Sequence, residues 1–119
     1  MVPHRLIYAA FLCLSSSGSL AGTSKDTLIS GGSFFAAAIR CENLDQISKG
    51  QSQRLVRALN GYLSRADRRL LKAGLIEGEK RAAVYLAKEK HWESFAADEA
   101  ACARVQAVLD EYKTNLISE

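Results

Sequence analysis

The groups best suited to chemistry in this sequence are thiols and imidazoles, and few of them can work together. Cys41, Cys102 and His91 lie well inside the chain, whereas Cys13 and His4 lie close to its start. A zinc site takes about four ligands, which two sulfurs and one imidazole do not supply, so no metal or other cofactor is expected. A nucleophilic cysteine needs an accessible, activated thiolate. In "DEAACARVQAV" (98–108), however, Cys102 falls on the apolar side of a helical pattern. The neighbouring acids Glu77/Glu79, Asp98/Glu99 and Asp110/Glu111 also make poor catalytic pairs, because helix residues one apart diverge by about 100° and two apart by about 200°. They read as solvated or capping acids, with Asp98 and Glu99 suited to the positive end of a helix. His91 is the one candidate base, without a nucleophile elbow to serve, and Gly31-Gly32 does not form a phosphate-cradling loop. His91-Trp92 could line a pocket, although a tryptophan in a small domain is more often a core anchor. The expectation is a protein without an active site.

The N-terminus decides what the two inner cysteines do. Pro3-His4-Arg5 is weakly basic, "LIYAAFLCL" (6–14) is apolar, and 15–22 is small and polar, which is the order of a secretory signal peptide. The apolar run is about half the ~20 residues that a membrane span requires. Ser19-Leu20-Ala21 puts small residues where a signal peptidase reads, so cleavage is expected after Ala21. Cys13 could suggest a lipoprotein signal, but Leu12 before it is too bulky, and a buried N-terminal helix would be broken by Ser15-Ser16-Ser17. The mature chain then carries no transmembrane segment. Its location is periplasmic or extracellular, the periplasm being preferred. Cys13 leaves with the signal, and Cys41 and Cys102 remain as an even pair in an oxidising compartment. A bridge between them would close a loop of roughly 60 residues, worth on the order of 4 kcal/mol by loop-closure entropy. A disulfide is expected, with a buried free thiol as the alternative.

Charge supplies the other candidate site. The formal net charge is only +3, yet from Lys49 to Lys72 seven bases accompany one acid, Asp67, and from Glu77 onward nine acids accompany six bases. Arg54, Arg57, Arg65, Arg68, Arg69 and Lys72 share one side of a helical projection and are the candidate partner-binding residues. A solvated face whose arginines pair with acids of the C-terminal half is the plainest explanation, and such exposed pairs contribute ~0–1 kcal/mol each. A docking face for an acidic protein or an anionic envelope component is the functional one. Nucleic acid is disfavoured, because export removes it and no aromatic residues alternate with the arginines.

These residues must be held by helices. With 119 residues, 48% hydrophobic and 24% charged, the chain has the composition of one globular domain. Residues 22–32 read as a flexible leader ending in Gly31-Gly32, and 33–119 as the single folded domain. Ser33 can cap a first helix with Phe34, Ala37, Ala38, Cys41 and Leu44 on one face and Phe35 and Ile39 on another. A long second helix is expected over 51–73, capped by Gly74-Leu75 and weakened at Gly61. Residues 79–90 are read as a helix, with a hairpin across 82–95 as the alternative suggested by Val84, Tyr85, Trp92 and Phe95. Ser94 can cap a last helix with Ala101, Cys102, Val105, Val108, Leu109, Tyr112 and Leu116 inward. The fold class is therefore mainly α, of three to four helices and stapled by one disulfide. The expected function is an exported, non-enzymatic accessory or protein-binding domain. An acid-stress chaperone and an envelope enzyme inhibitor are the alternatives.

Overall fold

The computed structural model describes residues 24–117, with side chains through Asn115. The expected signal segment 1–21 and the expected cleavage point lie outside the described residues. Four helices and one hairpin follow in order: α1 Lys25–Asn43, α2 Gln51–Asn60, α3 Arg65–Arg81, β1 Ala83–Leu86, β2 His91–Ser94 and α4 Glu99–Tyr112, which runs into a π-helical turn at Lys113–Ile117. The mainly helical class agrees with the sequence, and the hairpin is the alternative reading of 82–95.

Helix α1 starts earlier than its sequence suggests. Ser24 is the cap, its Oγ accepting from the Thr27 amide at 3.1 Å, and residues 25–32, read as flexible leader, form the first turns. The glycines that argued for a loop serve packing instead. Every residue from Ser30 to Ala38 is buried, and the small residues Gly32 and Ser33 among them let α3 approach at backbone distance. A Cβ on Gly32 would overlap the Leu71 carbonyl oxygen, and one on Gly74 would overlap the Ile29 carbonyl oxygen. A Cβ on Gly78 would lie 2.9 Å from Ser33 Cα. Close approach of this kind needs residues without side chains on the facing stripe. It also corrects the expected C-cap at Gly74, because α3 continues through Gly74 and Gly78 and ends at Ala82, whose φ is 51°.

The expected single helix over 51–73 is likewise two helices. Helix α2 ends at Asn60, and Ser64 starts α3 by accepting from the Asp67 amide at 3.1 Å. A capping serine offered an alternative to continuing the ladder, and Gly61 made continuation weak. At its other end α2 begins at Gly50, in the left-handed region with φ 91° and with no side chain to cap the first turn. Glu42, only 5% exposed, supplies the cap from α1. Its carboxylate accepts from the Gly50 amide at 3.0 Å, the Ser52 amide at 2.9 Å and the Ser52 hydroxyl. Replacing Glu42 with alanine would leave these donors unsatisfied near the core. We expect a loss of about 2–4 kcal/mol in urea unfolding, and a loss below about 1 kcal/mol would show the cap to be dispensable.

Residues 79–90 are not helical throughout, so the hairpin replaces the preferred helix. Its register pairs Ala83 with Ser94, Val84 with Glu93, Tyr85 with Trp92 and Leu86 with His91. The aromatic pair favours strand, and the Tyr85 amide donates to the buried Ser33 hydroxyl at 2.8 Å, anchoring β1 to α1. Helix α4 is capped by Asp98 rather than Ser94, through the Ala101 amide at 2.8 Å. The expected inward face is buried from Ala101 to Tyr112, and Leu116 lies outside the described side chains.

The core gathers Leu28, Phe34, Phe35, Leu55, Leu109 and Tyr112 around α1. Tyr112 meets Phe34 and Phe35 at ring-centroid distances of 5.7 and 6.0 Å. The Cys41–Cys102 disulfide joins α1 to α4, with Cα atoms 5.7 Å apart and both sulfurs buried. Beside it Gln51 and Gln106 exchange side-chain amide bonds at 2.7 and 3.0 Å, fastening α2 to α4. Among the described residues no helix is long and apolar enough to cross a membrane.

Candidate binding surface

The bridge accounts for Cys41 and Cys102 as structural residues. Three of the six acids considered for catalysis have partners that explain them. Glu77 accepts from Arg81 Nε at 2.9 Å, Asp98 caps α4, and Asp110 accepts from Gln106 at 2.8 Å while meeting Lys113 at 3.2 Å. The Arg81 hydrogen bond holds the Glu77 carboxyl below the usual range. His91 is exposed at the hairpin tip, and Trp92 packs between Tyr85, at 5.1 Å, and the Arg81 guanidinium, 4.8 Å from its ring centroid. Among the described residues no three His, Cys, Asp or Glu side chains gather as metal ligands.

Tyr85 also reaches back to α1, its hydroxyl donating to Asp26 Oδ1 at 3.1 Å, with Lys90 Nζ 3.8 Å from Oδ2. Desolvation first, and the Asp26 carboxylate second, raise the Tyr85 phenol above its ordinary range. The neutral phenol is the form the fold favours, so this contribution is present at neutral pH and is lost as pH rises through the raised value. We expect the Tyr85 phenol to ionise late in a tyrosinate absorbance titration. Asp26→Asn should move that step toward normal, and an unmoved step would remove Asp26 as a cause.

The basic residues divide between two helices. Arg54 and Arg57 lie exposed on α2, whereas Arg65, Arg68, Arg69 and Lys72 lie exposed on α3. At ~100° per residue the four on α3 occupy one arc, opposite the buried stripe of Leu71, Gly74 and Gly78. The same arc continues to Ile76, 51% exposed, and to Lys80, both missed when the helix was ended at Gly74. Periodicity carried past Gly74 would have found them. The expected pairing of the stripe with C-terminal acids is absent among the described residues. The ion pairs there are Lys49–Asp45, Arg81–Glu77, Lys90–Asp26 and Lys113–Asp110. Arg68 donates to the Leu63 carbonyl at 2.8 Å and has no carboxylate partner.

Beside this ridge a cleft of about 220 Å³ opens between the C-terminal halves of α1 and α3. Ala36, Ile39, Leu44 and Leu75 form its apolar walls, with Arg40, Asn43 and Glu79 as polar lining. Arg40 Nη2 donates to the Glu79 carbonyl at 3.2 Å, while the Glu79 carboxylate forms no ion pair with it. No sequence motif marks this cleft, because it arises from the crossing of two helices. The molecule is thus a small, mainly helical, disulfide-stapled domain with a basic ridge and an adjoining cleft. No family model, no curated protein and no solved structure matches the chain.

Proposed function

We propose that this chain is an exported, non-enzymatic binding domain that presents the exposed side of α3 to an acidic partner protein. One observation carries the reading: four cations on one helical arc, continued by Lys80, face solvent, and the first four have no carboxylate partner among the described residues. Unpaired arginines retain planar, multidentate donors for carboxylates, and a ridge of one sign speeds encounter with an acidic surface. Titration of a fluorescent deca-glutamate peptide tests it. Reversing Arg65, Arg68 and Arg69 to glutamate should weaken a salt-sensitive affinity by about tenfold or more at unchanged helicity. Equal affinity would return the ridge to ordinary solvated surface.

Export has its own readout. The protein recovered from the envelope fraction of its native host should have the mass of a chain starting at Gly22, with two thiols appearing only on reduction. A full-length cytosolic chain with three free thiols would overturn this part of the reading.

A second reading, an acid-stress chaperone, is favoured by the Glu42 cap. One carboxylate from α1 holds the start of α2, so loosening of that contact would free α2 while the disulfide kept α1 and α4 joined. A dye for exposed apolar surface should then brighten reversibly in acid, and unchanged exposure would sink this reading.

A further inference from the structure

We propose that the cleft between α1 and α3 is the anchor point for the acidic partner, taking one aliphatic side chain from a segment whose acids run along α3. This rests on the reading of the ridge as a protein-docking face and assigns its register. At about 220 Å³ the cleft is below the ~300–1,000 Å³ of small-molecule pockets, and it suits a single side chain. Its apolar walls are partly built from a residue that the core does not use, since Leu44 is 57% exposed. A small apolar recess rimmed by polar groups is the usual seat of an interface anchor.

The cleft and the ridge adjoin on α3. Leu75 and Glu79 line the cleft, and Lys72 and Ile76 stand three residues before each of them, hence beside them on the helix surface. Arg40 donates to the Glu79 carbonyl and so closes one rim of the cleft. The Glu79 carboxylate lines the same cleft, so it repels acids placed at that end of α3. The acidic part of the partner therefore runs from the cleft toward Lys72, Arg69, Arg68 and Arg65. From Glu79 to Arg65 α3 rises about 21 Å, which about six extended residues span. An anionic bilayer fits less well, because α3 turns its apolar stripe into the core, whereas an interfacial helix turns it toward lipid.

Two labelled peptides test the assignment on the oxidised, full mature chain: one leucine followed by six glutamates, and one serine followed by six glutamates. The leucine peptide should bind about tenfold tighter. Leu44→Ser, at an exposed position, should abolish that preference without changing affinity for the serine peptide, with helicity checked by circular dichroism. Reversal of Arg65, Arg68 and Arg69 should weaken both peptides together. Equal affinities that still respond to ridge reversal overturn the cleft and leave the ridge reading standing. Affinities indifferent to ridge reversal overturn both. If neither peptide binds while phosphatidylglycerol vesicles are held through the ridge, the surface is lipid-directed and the protein-docking assignment falls.

Discussion

Gly74→Ala should cost the domain at least about 3 kcal/mol in urea unfolding, a large share of the ~5–15 kcal/mol that holds a small domain together. The added methyl would fall on the Ile29 backbone, its carbonyl oxygen and Cα, rather than on a side chain that could rotate away. Relief would require α1 and α3 to separate along their common stripe, opening gaps beside Leu71 and Ser33. Gly32→Ala should behave alike, since its methyl meets the Leu71 carbonyl and the Leu75 amide. Gly61→Ala provides the control. That residue is exposed and has φ −65°, ψ −20°, so alanine there should change stability by no more than about 0.5–1 kcal/mol. Equal midpoints for Gly74→Ala and Gly61→Ala would show that the close approach of the helices contributes little.

Removal of the bridge is the second large effect. The double variant Cys41→Ala, Cys102→Ala should lose about 3–4 kcal/mol, because 61 positions of sequence separate the joined residues and the unfolded chain regains the freedom of that loop. Single replacements would confound the measurement by leaving a free thiol able to form dimers. The double variant should be insensitive to reductant, whereas the parent should fall to nearly the same stability once reduced. A double variant as stable as the oxidised parent would mean that α4 is held by Val105, Leu109 and Tyr112 without help from the bridge.

Sequence periodicity was most informative where one face met the core and the other met water. Ala101 to Tyr112 in α4 follow that rule, and so does the even pair of cysteines. It misled where a residue served a neighbour distant in sequence. Gly31-Gly32 and Gly74 have the composition of chain breaks, yet they are small because another backbone lies against them, which is a tertiary fact. The division at Ser64 was locally visible, since Ser64 and Asp67 carry the start of a helix, but the unbroken apolar and basic stripes outweighed it. Glu42 had no sequence signature at all, because a cap supplied from another helix leaves no mark in the turn that receives it. Of the candidate surface, the arginines were legible as a group and their division between α2 and α3 was not.

The backbone-to-backbone seam of α1 and α3 also bears on how such a protein can change over generations. One side of α3 admits almost no substitution, because glycine is the smallest residue and any replacement adds bulk. The opposite side, from Arg65 to Lys80, is exposed, and the hydrogen bond described there is that of Arg68 to the Leu63 carbonyl. Selection can therefore rewrite the outward residues one by one while the inward ones stand still. A lineage could exchange that whole outward surface without passing through an unfolded ancestor.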